Sequence, residues 1–280
     1  MTVDESRERL ADKVLGRLGP GGLIQAPSTA RVLESALLLA LLTRESLPGQ
    51  EEARRFLKTA LDTAEVDELQ QAFAHAALGE VVDGEAMMRR ALASFRHFSS
   101  SRKLVTFQVL LAELGAAEMP RDVPEFDIAN QQAWLRMQLT AVNALIGRDA
   151  DWAVLEPALR PGPPWQGNHL ARLMALFALR RRVDVREPLL GIEQLPGGGL
   201  PFVTGLDVFA TAIAGIALAR IRPDDPRLAT MADALAARQQ PDGGFGFTTG
   251  VTQTDVDDTA YTIEFLRATN RHPDTVAAAE

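Results

Sequence analysis

The 280-residue sequence contains no cysteine and a single tyrosine, and aromatic residues make up only 6% of it. Without cysteine the chain has no disulfide, no thiol nucleophile and no thiolate ligand for a metal. Acidic residues outnumber basic ones, 37 to 29, and the formal net charge of -8 argues against a nucleic-acid partner. The remaining composition, 46% hydrophobic and 24% charged, is that of a folded protein with one or two domains.

Long hydrophobic runs are also missing. The longest, residues 36–42, is flanked by Glu34 and Arg44 and is far too short to cross a bilayer. The polar, acidic stretch at residues 2–8 does not have the pattern of a secretory signal. We therefore expect a soluble, cytoplasmic protein without a transmembrane segment.

Helical periodicity recurs along the chain, whereas the alternation typical of strands is almost absent. Turns rich in glycine and proline separate the amphipathic segments. This pattern predicts an all-α fold of antiparallel helix pairs. The predicted segments are about 53–62, 65–79, 84–98, 103–117, 128–146, 167–182, 207–221 and 226–239.

Two glycine turns resemble each other, at residues 195–202 and 239–247. Gly198 and Gly244 lie about 46 residues apart, a spacing that suits a repeated helical hairpin. The sequence pattern changes just before the first turn, where continuous helical periodicity gives way to a stretch with glycine and proline. This change predicts two domains, 1–188 and 189–280. In the second turn we expect a positive φ at Gly243 or Gly244, because only glycine adopts that conformation without strain.

Three carboxylates, Asp255, Asp257 and Asp258, fall within four residues at the start of an apolar helix. Acidic residues are common at helix N-termini, so Asp255 or Thr254 as a plain N-cap is the ordinary explanation. Asp257 and Asp258 are adjacent, however, and at least one of them must point away from solvent. Crowded carboxyl groups in a dry pocket cannot all ionise, so one proton should be retained.

The glycine turn reads Gln-x-x-Asp-Gly-Gly-Phe-Gly-Phe and is followed by Asp-Val-Asp-Asp-Thr-Ala at residues 255–260. This combination resembles the class II terpene cyclases, the squalene–hopene and bacterial class II diterpene cyclase group, over about residues 190–275. The resemblance implies α/α-barrel domains. Residues 1–188 would correspond to the more divergent barrel, and residues 189–280 to an incomplete barrel that carries the acid, so that the chain matches a cyclase or only its N-terminal part.

The resemblance also implies a reaction, in which a polyprenyl substrate such as farnesyl or geranylgeranyl diphosphate is cyclised by alkene protonation. The middle carboxyl of the family motif falls on Asp257, which would be the proton donor. Asp255 and Asp258 would orient it and stabilise its conjugate base. Protonation needs no cofactor, and Mg²⁺ enters only if the substrate carries a diphosphate.

Four aromatic residues are substrate-binding candidates: Phe245, Phe247, Tyr261 and Phe202. Aromatic faces stabilise carbocations through their quadrupoles, but core packing is the ordinary role for each of these side chains. With so few aromatic residues, closure of one or two rings is favoured over a long polycyclisation. Arg172 and residues 180–182 offer positive charge to a diphosphate, but a solvated face is the ordinary explanation for them and the one we expect.

Other enzyme classes fit less well. Protein prenyltransferase β-subunits share the barrel, but their zinc site needs a cysteine. The Asp-Asp-x-x-Asp motif of class I terpene synthases is incomplete at 224–228 and 257–261, and the four histidines lack metal-ligand or triad spacing. The remaining alternative is a non-catalytic helical-repeat subunit for binding or scaffolding. An apolar cavity around Asp257 would favour the cyclase, and a solvent-exposed Asp257 would favour the binding subunit.

Residues 190–280 supply only about two helical pairs, fewer than a closed barrel needs. We therefore expect an exposed apolar flank on this part of the chain. Such a flank predicts a second polypeptide, or self-association, that completes the barrel.

Overall fold

The computed structural model of the chain describes residues 2–63 and 66–280. It is mostly helical, which confirms the all-α expectation. In chain order the helices are α1 (Val3–Leu15), α2 (Val32–Arg44), α3 (Gln50–Leu61), α4 (Glu68–Leu78), α5 (Gly84–Leu92), α6 (Ser100–Glu113), α7 (Ala133–Leu145), α8 (His169–Leu179), α9 (Arg186–Leu190), α10 (Asp207–Ile221), α11 (Pro226–Ala236), α12 (Val256–Ala268) and α13 (Pro273–Ala279). Short 3₁₀ turns cover Trp152–Val154, Glu156–Leu159 and Trp165–Gly167.

The chain forms two compact units. The continuous unit is Thr29–Val203, and the split unit joins Met1–Ser28 to Thr204–Glu280. The sequence pattern predicts a boundary at 188/189, which groups residues 1–28 with residues 29–188 instead of with the C-terminal part of the chain. The structure differs because α1 buries Ala11 and Leu15 in the same hydrophobic core as α10, α11 and α12.

The continuous unit is built around two helices, α2 and α8, that are buried along almost their whole length. Every described position of α8 is buried, and α2 is buried from Val32 to Leu42. Apolar residues predominate in both helices and are not confined to one face, which is the pattern of a helix inside a core. Two strands of two residues each, β1 (Ala30–Arg31) and β2 (Leu200–Pro201), pair antiparallel beside the start of α2.

The first glycine turn is fastened to the start of α3. Gln194 donates a hydrogen bond from Nε2 to the carbonyl of Gly49, the N-cap residue of α3, at 2.8 Å. Gly198 has φ +88°, and a Cβ at that position would collide with the carbonyl of Glu52. Glycine is therefore required here both by conformation and by close approach.

One predicted helix is shorter than expected. The segment 84–98 was predicted to be helical throughout, but α5 ends at Leu92 and α6 begins at Ser100. The Ser100 hydroxyl accepts a hydrogen bond from the backbone N–H of His97 and donates to the carbonyl of Phe95. Serine side chains compete with helical hydrogen bonds in this way, so the chain turns instead. Within the described residues, no helix is both long and apolar enough to cross a membrane.

Candidate active site

The second glycine turn holds the start of α12 in place. Gly243 has φ +85°, which confirms the expected positive φ, and a Cβ there would collide with the carbonyl of Ala278 in α13. Gln239 donates from Nε2 to the carbonyls of Gly243 and Thr275, each at 2.8 Å. The turn is thus fastened to α13 as the first turn is fastened to α3, which supports the repeat inferred from the spacing.

Two side-chain links close the loop between this turn and the acidic cluster. Asp242 accepts a hydrogen bond from the backbone N–H of Gly244 at 3.0 Å and another from the Thr254 hydroxyl at 2.7 Å. These bonds, with the Thr254 hydroxyl foremost, lower the pKa of Asp242. An ionised Asp242 therefore anchors residue 254 directly before the cluster.

Phe245 and Asp255 form an isolated antiparallel bridge, in which the Asp255 N–H donates to the Phe245 carbonyl at 3.1 Å. The Phe245 N–H in turn donates to the Thr259 hydroxyl at 3.0 Å. The Phe245 ring is fully buried. Its position indicates a packing role that fixes where α12 begins.

The three carboxylates occupy three different environments. Asp255 is the N-cap of α12 and accepts from the Asp258 N–H at 2.9 Å, so the ordinary N-cap explanation is confirmed for it. Asp258 is only 2% exposed, whereas Asp257 next to it is exposed. The expectation that one of the adjacent pair points away from solvent is therefore met by Asp258.

Asp258 retains a proton near neutral pH. Burial raises its pKa to about 8, reinforced by a hydrogen bond with the Asp255 side chain and by repulsion from Asp255 and Asp257. Crowded carboxyl groups in a dry site cannot all ionise, and Asp258 is the one of the three that keeps its proton. The sequence predicted a retained proton in this cluster but did not show which residue would hold it.

A third polar link was not evident from the sequence. The Asp207 carboxylate at the start of α10 accepts hydrogen bonds from the hydroxyls of Thr248 and Thr249 and from the Thr249 N–H. Burial alone would raise the pKa of Asp207, but these hydrogen bonds outweigh it and the pKa lies below its usual value. Roughly forty positions separate the partners in the chain, so no local motif could have revealed the link.

The aromatic candidates separate into two groups. Beside α12, the Phe209 N–H donates to the carbonyl of Phe247, and the Phe209 ring meets Tyr261 edge-on at 5.6 Å between centroids. Tyr261 is 39% exposed. Phe202 belongs to the continuous unit instead, where the Arg31 guanidinium lies 5.4 Å from its ring centroid.

An apolar flank is present on α12, as the sequence predicted. Val256 is 81% exposed at the first helical position. It borders a surface groove of about 400 Å³, which Ala260, Ile263 and Ala279 also line. Ile213 on α10 is 39% exposed as well.

The basic residues proposed for a diphosphate are already engaged: Arg180 and Arg181 pair with Glu45 and Glu113, and Arg182 lies over the Trp152 ring. Arg172 is 2% exposed and donates to the carbonyls of Ala158, Arg160, Gly162 and Pro188, so the solvated face expected for it is wrong. Five guanidinium N–H groups allow one buried side chain to satisfy several loop carbonyls. Across residues 2–63 and 66–280, no group of three or more His, Asp or Glu side chains could hold a metal ion.

No family model matches the chain. It is 48% identical over 306 residues to drimenyl diphosphate synthase of Streptantibioticus cattleyicolor, an alignment that covers 98% of this chain and 58% of that protein. It is 44% identical over 312 residues to drimenyl diphosphate synthase of Streptomyces showdoensis, covering 99% of this chain and again 58% of the relative. The chain thus spans less than two thirds of the length of these curated relatives. Along almost all of its own length it is similar to proteins named drimenyl diphosphate synthase.

Proposed function

We propose that this chain is the acid-bearing part of an enzyme that cyclises a prenyl diphosphate by protonating an alkene. The names of the two relatives support terpene cyclisation, although not the squalene–hopene subgroup in particular. The observation that carries the proposal is the buried carboxyl of Asp258 beside the Asp255 N-cap, which keeps a proton near neutral pH at the start of α12. Such a pair suits acid catalysis better than it suits helix capping alone.

The chemistry of drimenyl diphosphate supports protonation rather than ionisation. A drimenyl skeleton is bicyclic and its diphosphate is still attached, so the carbon–oxygen bond of a farnesyl diphosphate precursor need not break. Ring closure can instead begin at the far end of the chain. A carboxyl proton adds to the terminal alkene, a tertiary cation forms, internal alkenes close two rings, and loss of a proton gives an isomer of the substrate.

Within the cluster we assign the transferring role to Asp257 and supporting roles to its neighbours. Asp257 is the exposed carboxyl of the three and is therefore the one that a substrate can touch. Asp258 is buried and neutral, and Asp255 is held by the helix start. In this proposal the proton kept by Asp258 reaches the alkene through Asp257, and Asp255 and Asp258 orient Asp257 and stabilise its conjugate base.

The aromatic residues beside α12 are placed to meet a cation. Tyr261 on α12 and Phe209 on α10 form an edge-on pair, and the Phe247 carbonyl accepts a hydrogen bond from the Phe209 N–H. A ring face stabilises a nearby cation by on the order of 1 kcal/mol, more where water is excluded. Phe202 remains a substrate-binding proposal on the motif resemblance alone, as does Mg²⁺ as the companion of a diphosphate.

The α/α-barrel is likewise a proposal. It is supported by the two glycine turns, each of which is fastened through a glutamine amide to the start of another helix, α3 in one unit and α13 in the other. A recurring unit of this kind is expected when helical hairpins repeat.

One observation favours the second candidate, a binding or scaffold subunit. Asp257 is exposed, which is the outcome expected if the motif no longer works as an acid. In that case the chain would bind a prenyl chain, or a protein, without turning a substrate over. The apolar groove beside Val256 offers a surface for such binding.

A direct incubation distinguishes the two candidates. The purified chain is incubated separately with farnesyl diphosphate, geranylgeranyl diphosphate and squalene, and the products are dephosphorylated where needed and analysed by mass spectrometry. A cyclised product supports the enzyme. Binding of a diphosphate without any product supports the binding subunit. The absence of both a product and binding contradicts both candidates.

A further inference from the structure

The turn between α5 and α6 combines exposed aromatic rings with positive charge. Phe98 is 88% exposed, and the His97 ring lies 4.1 Å from it between centroids. On the other side of the turn, the Lys103 ammonium lies 4.5 Å from the centroid of Phe95. We refer to residues 95–103, which are the end of this turn and the first residues of α6, as the aromatic–basic turn.

The charge around this turn is opposite to that of the whole chain. Residues 86–112 contain five basic residues and no acidic residue, although the net charge of the protein is -8. Arg89 and Arg90 are neutralised by Glu85 and Glu68, each pair at 2.7 Å. Three basic side chains of the turn have no ion-pair partner among the described residues: Arg96, Arg102 and Lys103.

We propose that the aromatic–basic turn docks the protein on an anionic lipid surface. Aromatic and basic side chains together are what a protein needs at the lipid headgroup layer, because the rings enter the boundary and the cations meet the lipid phosphates. A single exposed phenylalanine is unremarkable on a protein surface. Here it accompanies three basic side chains without an ion-pair partner among the described residues, in a stretch of sequence that has no acidic residue.

A membrane fits this surface better than a nucleic acid does. Binding of single strands calls for a groove that follows the backbone over several nucleotides, with rings placed as successive stacking platforms. The aromatic–basic turn is nine residues long, and its most exposed ring, Phe98, lies in the loop just before α6. One such turn gives weak, reversible binding that falls as salt rises.

The proposal does not depend on the catalytic one. If the chain does act on prenyl diphosphates, the turn would hold it where these amphiphilic molecules gather.

Flotation with lipid vesicles tests the docking surface. The chain is mixed at low salt with vesicles of phosphatidylcholine alone, or of phosphatidylcholine with phosphatidylglycerol, and the floated fraction is measured. We expect binding to the anionic vesicles only, and its loss at high salt. Each basic residue near an anionic surface contributes about five-fold, so the triple variant Arg96→Ala, Arg102→Ala, Lys103→Ala should bind on the order of 10²-fold less.

One further test variant and two matched controls, which remove charged or apolar side chains from other exposed positions, complete the experiment. The triple variant Arg9→Ala, Arg55→Ala, Lys58→Ala lowers the net charge equally from exposed positions and should keep most of the binding. Phe98→Ser should weaken binding roughly ten-fold, as expected for one ring withdrawn from the boundary. Val81→Ser changes a fully exposed apolar residue in the neighbouring loop and should have no effect.

Three results would overturn the proposal. The first is the absence of vesicle binding at low salt. The second is an equal loss of binding in the two triple variants, which would indicate a response to net charge alone. The third is retention of a single-stranded RNA oligonucleotide by a protein that does not float with vesicles. Circular dichroism on each variant establishes that it is folded.

Discussion

Replacing Asp258 by asparagine should make the protein more stable at neutral and alkaline pH. The substitution keeps the shape of the side chain and a donor for Asp255, and it removes a buried group that must otherwise ionise. The pKa of Asp258 is about 8 in the folded protein, against an ordinary value of 3.8. Its protonation therefore favours the folded state.

The sign and size of the effect follow from that difference in pKa. The contribution of Asp258 to the free energy of unfolding is fully present below pH 3.8 and is lost as the pH rises towards about 8. Within this window the loss is about 1.4 kcal/mol per pH unit. Between roughly pH 5 and pH 8 the wild-type protein should thus lose on the order of 4 kcal/mol relative to Asp258→Asn.

Urea unfolding of the two proteins at a series of pH values measures this difference. Asp257→Asn is the matched control, because it removes a neighbouring carboxyl from an exposed position, and its difference from wild type should change little over the same range. A wild-type stability that stays parallel to that of Asp258→Asn from pH 5 to pH 8 would refute the reasoning. It would mean that Asp258 is already ionised in the folded protein.

The remaining predictions concern the second glycine turn, the helix cap and the apolar flank. Gly243→Ala should destabilise by roughly 2–4 kcal/mol, since its Cβ would collide with Ala278, whereas Gly250→Ala, at φ +84° in open space, should cost about 1 kcal/mol in urea unfolding. Equal losses would leave only the backbone conformation as the cause. Asp255→Ala should cost about 1 kcal/mol through loss of the N-cap, and Asp255→Ser should restore most of it, as the melting temperatures would show. Light scattering after size exclusion should give a mass above that of the monomer, because the chain associates through the flank on α12 with a second copy or with another polypeptide. A monodisperse monomer that is active on its own would contradict that expectation.

The fold could be predicted from the sequence wherever local chemistry decides it. Helical periodicity predicted the all-α class, and the Gly-Gly turn predicted a positive φ at Gly243 or Gly244, which Gly243 has. The grouping of residues 1–28 with 204–280 was missed, because α1 finds its core partners about two hundred positions away and no local pattern encodes such a contact. The early end of α5 was missed because a single serine hydroxyl, from Ser100, competes with the helix.

The acidic cluster was predictable in composition but not in its distribution of environments. Spacing placed three carboxylates at the start of one helix, and crowding required a retained proton. Only the packing of α12 shows that Asp258 is buried and Asp257 exposed. The buried Arg172 shows the same limit, since its partners are carbonyl groups of loops that periodicity does not describe.

The central claim is that ring closure begins with a proton from the Asp-x-Asp-Asp cluster, and turnover in D₂O tests it most directly. Farnesyl diphosphate is incubated with the chain in D₂O, and the product is dephosphorylated and analysed by mass spectrometry beside the Asp257→Asn variant. Protonation predicts one deuterium in each molecule of cyclised product, and a loss of at least roughly 10²-fold in turnover for the variant, whose helical content is unchanged. A cyclised product without deuterium, or near wild-type turnover by Asp257→Asn, would contradict the account.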